Sequence, residues 1–117
     1  MAPNESNFRI RSKIWVEDAN SKVVFGLGRY RILEAVQRLG SLQAAALELK
    51  MSYRAIWGRI SATEKRLGKA LVIREPRGSR LTPLGERLLN QFLRLLKTTE
   101  TGSNAAYNNL LAAYLDG

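Results

Sequence analysis

The 117-residue sequence contains no cysteine and no histidine. Without these residues it cannot form disulfides, use a thiol in catalysis, ligate haem or build the usual zinc sites. An enzyme would have to rely on carboxylate, lysine or serine side chains, and the ten acidic residues are scattered among basic neighbours. We therefore predict a protein that is not an enzyme, with no catalytic residues, no metal site and no cofactor.

Long apolar runs are also missing. No segment approaches the roughly 20 apolar residues of a membrane-spanning helix, and the first residues, MAPNESN, lack the basic and then apolar order of a secretory signal. The sequence therefore predicts a cytoplasmic protein with no membrane partner. We expect residues 1–7 to form a flexible N-terminus.

Positive charge, in contrast, is abundant. Nineteen lysine and arginine residues against ten acidic residues give a net charge of +9. The stretch from Lys50 to Arg80 holds nine of the basic and two of the acidic residues, and so carries +7 of this charge. Such a surplus favours a polyanionic partner, although a solvated basic surface would also explain it.

The stretch from Ser41 to Gly68 predicts two short helices joined by a tight turn, the pattern of a helix-turn-helix. Ser41 and Ser52 are suited to cap the two helices, and apolar residues follow each of them at helical spacing. The second helix of such a unit enters the DNA major groove with its N-terminus first. For Trp57, at the edge of the apolar stripe, packing on the preceding helix and facing the groove are both open. The candidate DNA-binding residues here are Ser41, Lys50, Ser52, Tyr53, Arg54, Trp57 and Arg59.

The following segment, LVIREPRGSRLTPLGERLL, predicts a β-hairpin wing and then a helix. LVIRE is expected to form the first strand, with Pro76, Gly78 and Ser79 in the turn. Arg77 and Arg80 should lie near the tip of this wing, where they can contact phosphates or the minor groove. A solvated turn is the alternative for both arginines.

Upstream, residues 8–16 alternate apolar and basic side chains, which predicts a strand, and residues 8–26 as a whole predict a β-hairpin. The apolar spacing of Leu27 to Leu39 predicts a supporting helix that ends at Gly40. We therefore expect a mainly α fold with small β hairpins, in which residues 8–82 form a winged helix-turn-helix domain with an N-terminal hairpin.

The C-terminal part of the chain is rich in leucine. Thr82 and Pro83 should begin a helix that runs to about Glu100, and a second helical segment follows Thr101, Gly102 and Ser103. Residues 83–117 therefore predict a helical dimerisation arm, whose exposed stripe would be covered by a second copy of the chain. Burial within one chain is the alternative. The candidate dimerisation residues are Leu84, Leu88, Leu89, Phe92, Leu95 and Leu96.

Several motifs in this order resemble the N-terminal DNA-binding domain of the ModE family of molybdate-responsive regulators and, more distantly, that of LysR-type regulators. They are Gly40-Ser41 followed by Ala44 to Ala46, the string Met51 to Trp57, Glu64 with Leu67-Gly68, Leu71-Val72 with Arg74, and Leu81-Thr82 with Gly85. The resemblance implies a dimeric winged-helix DNA binder, with dimer contacts from the helix after Thr82 and from the N-terminal segment. The wing is shorter than is usual in that family, and the oxyanion-binding domains are missing. We therefore expect a stand-alone module and no molybdate binding by this chain.

Together these observations predict a homodimeric, sequence-specific regulator of transcription that binds double-stranded DNA. Arg54 has the donors that suit guanine O6 and N7, whereas Lys50, Arg59, Arg77 and Arg80 are suited to phosphates. Two alternatives remain open at this level. One is an architectural protein that binds DNA without sequence preference, and the other is a protein-interaction adaptor that retains the fold.

Overall fold

The computed structural model describes residues 7–116, which form four short strands and five helices. β1 pairs with β2 and β3 pairs with β4, so each pair is a separate two-stranded antiparallel sheet. This order confirms the predicted winged helix-turn-helix, mainly α with small β hairpins. The elements are β1 (Trp15–Glu17), β2 (Val23–Gly26), α1 (Leu27–Leu39), α2 (Leu42–Leu49), α3 (Tyr53–Leu67), β3 (Val72–Glu75), β4 (Gly78–Leu81), α4 (Pro83–Leu110) and α5 (Ala112–Leu115).

The chain divides into two compact units. The larger unit is Ile14–Phe92, which holds both sheets, α1 to α3 and the first part of α4. The smaller unit combines the described residues before Ile14 with residues 93–116. Of the predicted flexible N-terminus, residues 1–6 lie outside the described residues.

Local chemistry sets the helix ends. The Oγ atoms of Ser41 and Ser52 each accept the backbone N–H three residues further on, at 2.9 and 3.0 Å, and thereby begin α2 and α3. Gly40 and Gly68 end α1 and α3 with φ angles of 77° and 68°. Glycine adopts such left-handed angles at low cost, so it is the residue expected at a helix end. The predicted bounds of α1 and the predicted caps of α2 and α3 are therefore confirmed.

The core of the larger unit lies between α1, α2, α3 and β2. α2 contributes the small buried residues Ala45 and Ala46, which allow its backbone to approach the neighbouring helices closely. Phe25 of β2 meets Phe92 of α4 edge to face, with ring centroids 5.0 Å apart. The largest fully buried side chains are Phe25, Ile32, Leu33, Val36, Leu42, Ile56, Ile60, Thr63 and Leu71.

The N-terminal hairpin is shorter than the sequence predicts, and the expected strand over residues 8–16 is wrong. β1 begins at Trp15, and residues 8–14 adopt no regular secondary structure. Ile10 and Ile14 are half-buried, whereas the residues around them are exposed. Because neither side of this segment is fully buried, the alternating pattern has no core to fix a strand register.

The turn of the wing is also tighter than predicted. Glu75 pairs with Gly78, so the turn consists of Pro76 and Arg77, whereas Gly78 and Ser79 belong to β4. A Cβ atom at Gly78 would lie 2.4 Å from the carbonyl oxygen of Gly40. The glycine is therefore required for a close contact between the wing and the end of α1 rather than for the turn itself.

The predicted break in the C-terminal arm does not occur. α4 runs without interruption from Pro83 to Leu110, through Thr101, Gly102 and Ser103, and the short α5 follows it. A glycine inside a helix costs about 1 kcal/mol relative to alanine, which a long helix tolerates when no proline accompanies it. No described helix is both long and apolar enough to cross a membrane.

Candidate nucleic-acid interface

The N-terminal half of α3 carries the residues with the strongest sequence signal for DNA binding. Arg54 is exposed in the first turn of the helix, and Tyr53 beside it is half-buried. Lys50, in the turn before α3, is exposed and adopts a left-handed φ of 56°. The structure therefore brings Lys50, Tyr53 and Arg54 together at the end of the helix that would enter a groove.

Ser41 and Ser52 each cap a helix at this surface, and the hydroxyl group of each is also a potential hydrogen-bond donor. Each hydroxyl oxygen accepts a backbone N–H as a helix cap. A hydroxyl has one donor and two acceptor positions, so each O–H group can still donate a hydrogen bond. Ser52 is exposed and Ser41 is half-buried.

Trp57 contacts the wing. The two roles considered for Trp57 from the sequence, packing on the preceding helix and facing the groove, did not include this contact. The guanidinium carbon of Arg74, on β3, lies 4.6 Å from the centroid of the Trp57 ring and 5.8 Å from that of Tyr53. Arginine over an aromatic face is an attractive cation–π arrangement. Arg74 was not among the predicted site residues, because sequence spacing does not show that β3 returns alongside α3.

The tip of the wing carries the remaining predicted arginines. Arg77 is exposed in the two-residue turn. Arg80 is exposed on β4, and its Nε atom forms an ion pair with Glu75 at 2.7 Å. An exposed pair of this kind contributes little to stability, and it partly neutralises the charge that Arg80 offers to a phosphate.

Hydrogen bonds attach the wing to α3 and to the end of α1, and one more closes its base. Glu64 Oε2 accepts the backbone N–H groups of Leu71 and Val72 at 2.7 and 3.1 Å. The N–H of Ser79 donates to the carbonyl oxygen of Gly40 at 2.8 Å, and Thr82 Oγ1 donates to Ala70 O at 2.8 Å. The role of Glu64 was missed at the sequence level, although an acidic residue four positions before a helix-ending glycine was a usable signal.

One exposed cation of α1, Arg38, is neutralised by two carboxylates. Arg38 of α1 forms ion pairs with Glu34 and Glu48, and the first of these is 2.9 Å long. The hydrogen bond with Glu48, followed in size by the one with Glu34, raises the pKa of Arg38. The hydrogen bond with Arg38 in turn lowers the pKa of Glu48. Arg38 therefore adds little net positive charge to the surface of α1.

Arg59 lies on the flank of α3 away from Trp57, and its Nη1 atom is 3.8 Å from the Sδ atom of Met51. The positive charge of Arg59 also affects Arg29, on α1. Burial lowers the pKa of Arg29, and the charges of Arg66 and Arg59 lower it further. The Nε atom of Arg29 is buried without a hydrogen-bond partner among the described residues. Arg29, Arg59 and Arg66 thus lie close enough for their charges to interact.

Metal ligation has no support in the described part of the chain, where no three His, Cys, Asp or Glu residues lie close enough together to hold an ion. None of the three arginines Arg54, Arg74 and Arg77 forms an ion pair with a described residue. The chemistry available at this surface is therefore that of guanidinium, ammonium, hydroxyl and backbone N–H donors. All of these donors suit anionic phosphates and base acceptors.

Comparison with known proteins agrees with this geometry. The profile described as bacterial regulatory helix-turn-helix protein, lysR family, matches residues 27–86, about half of the chain. The chain belongs to the LysR family. The matched residues extend from α1 through the wing to the first turn of α4.

Relatives of this LysR-family chain include an uncharacterized HTH-type transcriptional regulator of Mycobacterium bovis, 37% identical over 75 residues, which are 64% of this chain and 24% of that protein. The molybdenum transport protein ModE of Azotobacter vinelandii is 33% identical over 69 residues, covering 55% of this chain and 26% of that protein. The resemblance to ModE and LysR-type regulators is therefore confirmed. The chain spans about a quarter of the length of these relatives.

Among solved structures, the complex of the CbnR DNA-binding domain with DNA has 29% sequence identity and a TM-score of 0.58. The alignment covers 68% of this LysR-family chain and 91% of the CbnR domain. A protein that was crystallised on DNA thus shares the fold.

The predicted dimerisation residues of the chain do not all lie on its surface. Leu89 and Phe92 are 5% and 4% exposed and belong to the chain's own core, where the ring of Phe92 packs on Phe25 and Tyr30. Both side chains are thus covered within the single chain, and their role in dimerisation stays a prediction. Leu95 is 44% exposed. The remaining predicted residues, Leu84, Leu88 and Leu96, are half-buried.

Proposed function

We propose that this LysR-family chain is a sequence-specific, double-stranded DNA-binding regulator of transcription that acts as a homodimer. The observation that carries the proposal is the exposed, unneutralised Arg54 in the first turn of α3, next to a wing held at a fixed place. The structurally similar CbnR domain was crystallised in a complex with DNA, which supports DNA as the partner.

In this mechanism the first turn of α3 enters the major groove. Arg54 donates to guanine O6 and N7, a bidentate contact that no other base pair offers in the same geometry. Lys50 and Arg77 neutralise phosphates on either side and fix the position of the helix, whereas the hydroxyl groups of Ser41 and Ser52 donate to phosphates. Recognition of the base sequence then depends on Arg54, whereas the affinity for DNA of any sequence depends on the other cations.

The homodimer is supported by the exposed apolar residues near the C-terminus. Leu110, Leu111 and Leu115 are 69%, 49% and 53% exposed, and Tyr114 is 83% exposed. An isolated chain would present these side chains to water, so a second copy is the simplest cover for them. A dimer would also place two copies of α3 on half-sites about one DNA turn apart.

The experiment is selection of DNA from a random pool by the purified chain at a salt concentration of about 0.15 M. We expect an inverted repeat with guanine in each half-site. Arg54→Ala should abolish the enrichment of that guanine and lower the affinity for the selected site about 10- to 100-fold, the cost of one bidentate contact. The matched control is Arg31→Ala, which removes the same charge from an exposed position on α1.

Uniform retention of the pool, weakened only by added salt, would overturn sequence specificity and favour the architectural alternative. Equal behaviour of Arg54→Ala and Arg31→Ala would remove Arg54 from the reading surface. A mass corresponding to one chain in sedimentation analysis at the concentrations used for binding would contradict the homodimer.

A further inference from the structure

Arg74 is the one cation of the wing strand β3 that lies directly against the recognition helix α3. Its guanidinium carbon is 4.6 Å from the ring centroid of Trp57 and 5.8 Å from that of Tyr53. Tyr53 and Trp57 are one helical turn apart, so both rings lie on the flank of α3 that faces the wing. Arg74 is therefore held beside the N-terminal half of the helix.

The charge of Arg74 is available to a ligand. The side chain is exposed, and none of the three ion pairs in the described residues includes it. Glu75, the next residue along β3, pairs with Arg80 instead. Two half-buried rings thus support the flat guanidinium group while its N–H donors remain unused by any carboxylate.

The geometry of duplex DNA indicates what this group faces. A helix in the major groove and a wing in the adjacent minor groove are separated by one sugar-phosphate backbone, because each backbone is the wall between two grooves. A side chain that lies between α3 and the wing therefore meets that backbone. From that position a phosphate is nearer to the guanidinium group than the base edges at the floor of either groove.

We propose that Arg74 binds a phosphate of the DNA backbone that passes between α3 and the wing, and that Trp57 and Tyr53 position its guanidinium. This assignment rests on the DNA-binding function proposed above. It gives Trp57 a positioning role in place of base contact. The ring holds the guanidinium in one orientation before DNA arrives, so less side-chain entropy is lost when the phosphate binds.

The test measures affinity for a duplex of arbitrary sequence as a function of salt, because a phosphate contact does not depend on base sequence. Arg74→Gln should lower the steepness of log affinity against log salt by about 1, the value for one lost phosphate contact. Affinity at low salt should fall about ten-fold. Arg31→Gln, with the same charge change on α1, should keep the wild-type slope.

Trp57→Leu tests the positioning role separately. The charge of Arg74 remains in this variant, so the slope should stay at the wild-type value while the affinity falls about three-fold, the effect of one exposed cation–π contact. In the Arg74→Gln background the same substitution should cause no further loss, because the two residues act through one contact. Trp15→Leu, at an exposed position of β1, is the matched control and should bind as the wild type does.

The failures of the two proposals are distinguishable. If the wild-type chain binds no duplex, the proposed function and the Arg74 assignment both fail. If the wild type binds and Arg74→Gln keeps its slope, Arg74 is a structural residue and this inference alone is overturned. If the losses from Trp57→Leu and Arg74→Gln add fully, the two residues act independently and the positioning role of Trp57 is wrong.

Discussion

The two hairpins of the chain have similar lengths but differ in how they are attached. In the wing, four residues of β3 pair with four of β4 in regular register. In the N-terminal hairpin, three residues of β1 pair with β2, and the register shifts between Val16 and Glu17. The wing is bonded to the rest of the chain along both of its strands. The N-terminal hairpin is bonded to α3 through β2.

These attachments explain the difference in regularity. A two-stranded hairpin is marginal in water on its own, so its order has to come from its neighbours. Glu64 holds the start of β3, and the carbonyl oxygen of Gly40 accepts the N–H of Ser79 in β4. In the other hairpin, Thr63 Oγ1 donates to Val24 O at 2.6 Å, and Arg66 donates to the carbonyl oxygen of Val23. β1 is exposed along its whole length.

The comparison indicates which hairpin can carry a precise function. A DNA contact requires that a side chain stay in place without the cost of ordering it at the moment of binding. The wing meets that requirement for Arg74, because β3 is fixed at its start and Trp57 supports the guanidinium group. β1 has no comparable support among the described residues and is exposed along its whole length, so it is less suited than the wing to hold a side chain for a DNA contact.

The largest effect is expected at Glu64. Glu64→Ala removes the acceptor of two partly buried N–H groups, so we expect the free energy of unfolding to fall by about 3 kcal/mol. Glu17→Ala is the matched change in the N-terminal hairpin, where the carboxylate accepts the exposed Trp15 Nε1–H at 2.8 Å. It should cost less than about 0.5 kcal/mol. Urea unfolding at one fixed protein concentration measures both variants.

A cost of Glu64→Ala as small as the one expected for Glu17→Ala would mean that the wing does not depend on this acceptor. A cost near zero for both would also mean that the regular register of the wing has another physical cause.

A smaller effect is expected from the close contact at Gly78. Gly78→Ala would place a Cβ atom 2.4 Å from the carbonyl oxygen of Gly40, so the two backbones would have to separate and the bond from Ser79 would weaken. We expect a loss of about 2 kcal/mol. Gly26→Ala, in the other hairpin, meets the Cβ of Trp15 at 3.0 Å. Because β1 is exposed and can shift, the cost there should be about 0.5 kcal/mol.

Thermal unfolding of the two glycine variants, again at matched concentration, provides the measurement. A larger loss at Gly26 than at Gly78 would contradict the idea that the wing is the more tightly held hairpin.

The features that depend on neighbouring residues in the chain were predictable from the sequence. Ser41 and Ser52 cap their helices and Gly40 and Gly68 end theirs, because capping uses atoms within three or four residues. The order of the helices and the position of Arg54 on α3 followed from the same local signals, whereas the family was identified by the resemblance of several short motifs.

Features that depend on distant parts of the chain were missed. The contact of Arg74 with Trp57 requires that β3 return along α3. The spacing of residues in the sequence does not show how close these two elements lie in the fold. The apolar stripe of α4 was identified, but periodicity does not reveal what covers it. Leu89 and Phe92 are covered by the chain itself, whereas the C-terminal leucines are exposed. The alternation in residues 8–16 was misleading because no buried face accompanies it.

The smallest expected effect concerns the turn of the N-terminal hairpin. Asp18 Oδ1 accepts the N–H groups of Lys22 and Asn20 at 3.0 and 2.8 Å. The hydrogen bond from Lys22, with that from Asn20, lowers the pKa of Asp18 in spite of the opposing effect of burial. The folded turn therefore favours the charged carboxylate. Its contribution to stability is present above the ordinary pKa of aspartate and is lost as the pH falls through the lowered value.

We therefore expect the amide proton resonances of Asn20 and Lys22 to move as the pH falls below about 4. The Ser79 amide of the wing donates to a backbone carbonyl, which does not titrate, so its resonance should show no such step. Asp18→Asn retains an oxygen acceptor without the titration and should flatten the two hairpin profiles. Unchanged Asn20 and Lys22 resonances in the wild-type chain down to about pH 2 would show that the carboxylate of Asp18 is not their acceptor in solution, and the ordering of this turn would then have to come from its backbone bonds alone.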